Sequence, residues 1–286
     1  MNKSSPERRA QILGMMVEGV SIRAISRMTN ASKNTIVKLL ADAGNACSEY
    51  QDRALRNLSC KRIQADEIWS FVYAKAMDVP EKLRGQFGVG DVWTWTTLCA
   101  DTKLVPSWYV GPRDAESAHH IIQDVASRLT SRVQLTTDGF HCYLNAVDAA
   151  FPHGIDYAML VKMYGTDPQN ETRYSPSICW SAESKIIRGN PDREHINTSY
   201  VERQNLSMRM GTRRFTRLTN AFSKKLENHI HALSIYFMHY NFVRIHQTLR
   251  VTPAMQAGVT DRLSSLEDMV RIVDEWEAKQ KEETSE

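Results

Sequence analysis

The sequence has no run of 18 apolar residues, and no basic start followed by an apolar core and a cleavage site. These absences exclude, at the level of sequence, a membrane-spanning helix and a secretory signal. The expected setting is cytoplasmic, at the nucleoid, with no membrane. Cysteine is scarce: Cys47, Cys60, Cys99, Cys142 and Cys179 are odd in number, far apart and never form CxxC. That excludes a zinc ribbon and a disulfide framework and leaves reduced, mostly buried thiols as the expectation. No internal repeat or low-complexity tract is visible. What remains, 42% hydrophobic and 24% charged over 286 residues, describes a globular chain with one sizeable core plus a small extra domain.

Acid is also scarce, but only locally. Residues 199–250 hold nine Lys or Arg against Glu202 and Glu227, and residues 1–62 hold 11 basic residues against 5 acids. The segments 63–198 and 251–286 lean the other way, with 12 against 17 and 4 against 9. Two basic segments separated by an acidic one describe a protein that grips a polyanion at both ends and keeps carboxylates between; nucleic acid is the obvious polyanion. The stretch SYVERQNLSMRMGTRRFTR, Ser199 to Arg217, sets one acid inside a basic run that reads as helix. At 3.6 residues per turn, Glu202, Leu206 and Arg209 share a face, with Arg213 a turn further on.

In chain order, residues 6–44 read as three short helices. The first runs from about Pro6 to Val17, Ser21 caps IRAISRM, and Ser32 caps KNTIVKLLADA, which is expected to end at Gly44. Lys33, Asn34, Thr35 and Lys38 near the start of the third helix give the layout of a helix-turn-helix, whose second helix enters the major groove. Such trihelical units also serve as protein-binding modules, and the positive charge favours DNA. Residues 47–60 read as a helical linker. From Lys61 the pattern becomes strands: KRIQADEIWSFVYAK, VWTWTTLCAD and LVPSWYVG as a meander, then a helix, the strand RVQLTTDGF, a helix, and the strand DYAMLVKMYG. This mixed β-β-β-α-β-α-β order is that of the ribonuclease H-like fold. Gly165 to Asn197 reads as a polar loop, and a loop of that length suggests an active-site element. Residues 262–282 form an amphipathic helix with an acidic, frayed end.

In that arrangement the first and fourth strands are neighbours, so Asp66 and Asp138 meet at the sheet's edge and the later helix brings in Glu202. Three clustered carboxylates raise one another's pKa unless a divalent cation compensates, and oxygen-only ligands favour Mg²⁺ or Mn²⁺ over zinc. Two such ions can activate an attacking hydroxyl and stabilise a leaving oxygen in phosphodiester chemistry. Strand side chains alternate, so only one of Asp66 and Glu67 is expected to face the site. The even positions Gln64, Asp66, Ile68 and Ser70 are the more polar set, which selects Asp66 and sends Glu67 to the opposite face to pair with a Lys or Arg. The histidines, His141 excepted, and Trp69, Trp93, Trp95 and Trp108 read as packing residues.

The run NTSYVERQNLSMRMGTRRFTRLTNAFSKKLENH, with ADEIWSFV and TDGFHCYLNAV before it, resembles bacterial DDE transposases of the insertion-sequence-one type; its most specific element is YVER, Tyr200 to Arg203. The tail MHYNFVRIHQTLRVTPAM is similar to the end of many integrase-like transposase domains. The resemblance covers roughly residues 61–258. It implies a ribonuclease H-like catalytic domain, metal-dependent DNA cleavage and strand transfer, the triad Asp66, Asp138 and Glu202, and a basic residue at Arg209. Family members often carry a cysteine zinc module before the helix-turn-helix, and this chain has none. The resulting expectation is an enzyme of four parts: a helix-turn-helix domain over 1–46, the linker over 47–60, a catalytic domain over 61–258, and a terminal helix with acidic tail over 259–286. Its partners are double-stranded DNA, at element ends and target, and further copies of itself in a homo-oligomer on that DNA. The DNA contacts are expected from Arg203, Arg209, Arg213, Arg214, Lys33, Asn34, Thr35 and Lys38. Two alternatives are a sequence-specific DNA-binding regulator, which needs no carboxylate triad, and a metal-dependent nuclease without a joining step.

Overall fold

The computed structural model describes residues 3–165, 178–216 and 221–285. Arg217, the last residue of the basic stretch, and most of the expected loop's first half lie outside the described residues. Helices α1 (Pro6–Val17), α2 (Ile22–Thr29) and α3 (Lys33–Ala54) come first. Ser5, Ser21 and Ser32 cap them, each side chain accepting from a backbone N–H three residues on, which satisfies donors that a helix start leaves open. Helix α3 does not stop at Gly44. It runs on to Ala54, because Ala46, Cys47 and Gln51 continue its buried stripe.

Strands β1 (Arg62–Val72), β2 (Gly90–Cys99), β3 (Trp108–Gly111), β4 (Gln134–Asp138), β5 (Asp156–Gly165) and β6 (Ile178–Arg188) form one sheet in the order β3-β2-β1-β4-β5-β6. The first three are antiparallel, β1, β4 and β5 run parallel, and β6 returns antiparallel to β5. The chain is thus mixed α/β around a six-stranded sheet, in agreement with a ribonuclease H-like order over its first five strands. Strand β6 falls inside the segment expected to be loop. Its described side chains are almost all exposed, so it carries none of the alternation by which a half-buried strand is read. Two register shifts, between Tyr157 and Ala158 and between Met163 and Tyr164, interrupt its pairing with β5.

Helices α4 (Ala115–Arg128) and α5 (Cys142–Ala150) pack together on one face of the sheet. There Trp95, Tyr143, Leu135 and Tyr157 are buried with Ile121 and Val125. On the other face lie α6 (Ser199–Gly211) and α7 (Leu226–Met238), where Ile68, Val72 and Leu98 meet Val201, Met208, Leu233 and Phe237. A short α8 (Pro253–Gln256) and a long α9 (Leu266–Ser285) close the chain. Ser265 and Asp268 exchange side-chain and backbone hydrogen bonds at the start of α9, a reciprocal cap.

The three N-terminal helices share their core with the sheet. Ile12, Leu13, Ile36 and Leu40 belong to the same buried cluster as Ile63, Leu135 and Val273. Helix α3 crosses α7 at Gly44, where an added Cβ would lie 2.4 Å from His231 Cβ. Ser234 Oγ donates to Gly44 O at 2.7 Å, and Gln51 Nε2 donates to Ser234 O at 3.1 Å. Helix α9 lies along α1 and α3, and the buried Arg9 donates to both oxygens of Asp274 at 2.7 and 2.8 Å. Among the described residues no helix is long and apolar enough to cross a membrane. All five cysteines are free; Cys47, Cys60 and Cys99 are buried, and Cys179 on β6 is exposed rather than packed.

Candidate functional site

A cleft of about 630 Å³ opens where β1, β4 and β5 face α6; Asp66, Glu67, Asp138, Lys162, Glu202 and Arg209 are among its walls. Three elements set the acids. Asp66 lies mid-way along β1, Asp138 ends β4, and Glu202 sits in the first turn of α6. The docking of α6 is fixed by Gln64, two residues before Asp66 on the same side of β1. Its Oε1 accepts from the backbone N–H groups of both Tyr200 and Val201 at 3.0 Å, and its Nε2 donates to Asn197 Oδ1 at 2.7 Å. A strand side chain thus caps the helix that carries Glu202.

The carboxylates of Asp66, Glu67 and Asp138 each offer an oxygen, and these lie within 4.8 Å of one another. Strand alternation holds: Asp66 accepts from Asn205 Nδ2 of α6 at 2.9 Å, whereas Glu67 accepts from Tyr143 of α5 at 3.1 Å and from Arg113 Nε at 2.5 Å. The expectation that only one of the pair reaches the site is corrected, because Glu67 is long enough to bring its carboxylate beside Asp138 from the far face. Its pairing with a basic residue is as expected. Arg113 also lies 3.7 Å from Asp138 Oδ2 and sits over the Phe140 ring at 4.0 Å.

Burial, with Glu67 and Asp138 nearby, pushes the Asp66 carboxyl up to about 8. Burial raises Asp138 and Glu67 as well; Arg113 opposes the rise at both, and the Phe140 N–H donating to Asp138 Oδ1 at 3.0 Å opposes it at Asp138. Three carboxyls that burial and one another's charge push upward mark a site short of positive charge. Asn205 adds an oxygen donor, since its Oδ1 is buried in the cleft wall without a hydrogen-bond partner among the described residues. An all-oxygen donor set with a deficit of positive charge fits Mg²⁺ or Mn²⁺.

Glu202 stands apart from the three-carboxylate cluster. Its Oε1 accepts from Lys162 Nζ of β5 and from Thr198 Oγ1. Leu206 and Arg209 line the same cleft, so the expected face of α6 is intact as far as Arg209. Arg213 is not on it: α6 ends at Gly211, Thr212 is extended, and Arg213–Phe215 forms a separate short turn. Arg203 is exposed on α6, pointing away from the buried Gln204 and Asn205 side. Arg214 is partly buried and donates to Ser223 Oγ at 2.9 Å. At the N-terminus Lys33, Asn34, Thr35 and Lys38 are exposed; Lys38 pairs with Asp42 at 2.5 Å. His141 lines the cleft beside Gly139 and Phe140.

Arg113, Lys162, Asn205 and the helix-docking role of Gln64 were missed in the sequence, and Glu67 was read there only as a partner for a basic residue on the opposite face. Asn205 alone had a readable signal, lying three residues after Glu202 and so on the same helical side. No family model matches the sequence, and no curated protein matches it. Among solved structures the chain is similar to the crystal structure of the Mos1 strand transfer complex, with 13% identity and a TM-score of 0.23 over 54% of this chain. The match spans 58% of that chain's length.

Proposed function

We propose that the chain is a DNA transposase of the DDE kind, cleaving DNA at the ends of an insertion element and joining them to a target with Mg²⁺ or Mn²⁺. The observation that carries this reading is the convergence of the Asp66, Glu67 and Asp138 carboxylates at the edge of two parallel strands, with Glu202 across the same cleft. Asp66 and Asp138 would hold metal, Glu202 would complete the set once released from Lys162, and Asn205 Oδ1 offers a further oxygen. When bound, a pair of such ions supplies charge to the attacking and leaving oxygens of a phosphodiester. The chain's own part is positional: Gln64 holds α6, Arg113 orients the Glu67 carboxyl beside Asp138, and Arg209 on the rim gives a guanidinium for a DNA phosphate. Helices α2 and α3, with Lys33, Asn34, Thr35 and Lys38 outward, are assigned to end recognition, and further copies would assemble on the DNA.

The test is cleavage of labelled duplex carrying the sequences that flank the gene, with joining to a plasmid read in the same reaction. Asp138→Asn and Glu202→Gln are expected to abolish both steps and leave DNA binding intact. Cleavage without joining by the wild-type chain would select the nuclease alternative, and binding without cleavage the regulator. Near-normal joining by either variant removes that residue from the triad.

A further inference from the structure

A second groove, of about 650 Å³, runs between the starts of α2 and α3 on one side and the connection from α6 to α7 on the other. Its charged walls are Arg23, Lys33, Arg213, Arg214 and Lys224, and no acidic side chain is among the described residues that line it. Arg23, Lys33, Arg213 and Lys224 are exposed. None of the five enters an ion pair among the described residues, whereas Arg9, Arg113, Arg128, Arg132 and Arg262 elsewhere each find a carboxylate.

Arg214 departs furthest from ordinary packing. Its guanidinium is held by Ser223 Oγ at 2.9 Å, and burial lowers it to about 10. A guanidinium drawn out of water without a counter-charge is costly. Two helix starts open on the same groove. Ser21, Ile22 and Arg23 of α2 and Lys33 of α3 are wall residues, and neither helix has an acid in its first turn. The two sides are closely joined: Gly19, at a φ of 73°, sits so close to α6 that a Cβ there would lie 2.8 Å from Gly211 O.

We infer that this groove is a phosphate-binding track for duplex DNA, built jointly by the N-terminal helices and the exit of α6. It rests on the DNA-directed reading above and adds a grip distinct from the carboxylate cleft. The two basic segments of the sequence, residues 1–62 with Arg23 and Lys33 and residues 199–250 with Arg213, Arg214 and Lys224, meet in this one surface. Phosphates along B-DNA succeed one another closely enough for several of these cations to be neutralised at once. Because the track is continuous with α6, a duplex seated there is registered against the helix that carries Glu202 and Arg209.

The experiment is fluorescence anisotropy of a labelled duplex with the full chain in EDTA, titrated at several KCl concentrations, so that cleavage plays no part. Arg23→Ala, Arg213→Ala and Lys224→Ala replace exposed side chains and are expected to leave the melting temperature unchanged. Each should lower the slope of log K against log salt by about one, and the triple variant by about three, for cognate and random duplex alike. Lys82→Ala, at a residue that does not line the groove, should leave the slope as it is. Wild-type slope in the folded triple variant overturns the groove while the DNA reading stands. If the wild-type chain binds no duplex at all, the DNA reading falls and the groove with it.

Discussion

Gln64 and Val201 are joined by a single hydrogen bond of 3.0 Å that ties the strand of Asp66 to the helix of Glu202. The same Gln64 oxygen takes the Tyr200 N–H. Gln64→Leu would leave both donors buried and unanswered, at about 1–3 kcal/mol each. We expect a loss of roughly 2 kcal/mol or more in urea denaturation. Cleavage should fall further than the unfolded fraction explains, because α6 is no longer held. Activity that tracks the folded fraction alone would show that Gln64 serves stability only.

The raised carboxyls give the metal-free protein a pH dependence of definite sign. An unfolded Asp titrates near 4, whereas Asp66 in the fold titrates at about 8. Between those values the folded state holds the extra proton, so stability falls as pH rises. The fall should amount to roughly a few kcal/mol from pH 4 to pH 8. Asp66→Asn should flatten it and be the more stable protein at pH 8, and Mg²⁺ should restore the wild type there. Urea melts at the two pH values, with and without Mg²⁺, measure all three effects; a flat wild-type profile contradicts the cluster's electrostatics.

Glu67 is expected to orient rather than to bind. Both its oxygens are engaged, by Arg113 and by Tyr143. Glu67→Gln should therefore cost about 1–3 kcal/mol of stability and lower Mg²⁺ affinity by about tenfold, with cleavage recovered at high Mg²⁺. Asp66→Asn should not recover. A Glu67→Gln protein that stays inactive at saturating metal makes Glu67 a direct ligand.

If Glu202 takes metal as proposed, Lys162 is expected to compete for it, since its Nζ donates to Glu202 Oε1. Lys162→Met is expected to lower the Mn²⁺ concentration that half-saturates cleavage by several fold. A Mn²⁺ titration of the two proteins decides it, and an unchanged or higher midpoint means that the pair does not hold Glu202 back.

The crossing of α3 and α7 admits no side chain at Gly44. Gly44→Ala, favourable in an isolated helix, should here force the helices apart and destabilise by about 1–3 kcal/mol or more. Thermal melting reads the sign directly.

The elements that repeat a pattern were legible in the sequence. Ser21 and Ser32 announce their helices, the first five strands follow from their β-branched and aromatic runs, and parity along β1 separates Asp66 from Glu67. What stayed hidden lacked a pattern. Strand β6 is exposed on both faces, so nothing alternates. The end of α6 at Gly211 depends on Gly19 and on the packing of Tyr236, residues far away in sequence. Gln64, Arg113 and Lys162 act on the acids or on the helix that carries one across distances of 40 to 137 residues, and no local spacing encodes that. The reach of Glu67 around the sheet edge is likewise a matter of side-chain length at a particular register.

The shared core of α1, α3, α7 and α9 also bears on how such a protein can acquire new DNA preferences. A recognition unit on a flexible tether can be exchanged whole, as one exchanges the head of a tool. Here a chimaera replacing residues 1–46 would have to reproduce Gly44 against His231, Arg9 against Asp274 and the Gly19 turn against Gly211. On the proposed reading, transplanting this unit would break the shared core, whereas single changes on the outward side of α3, at Asn34, Thr35 and Lys38, would leave it in place.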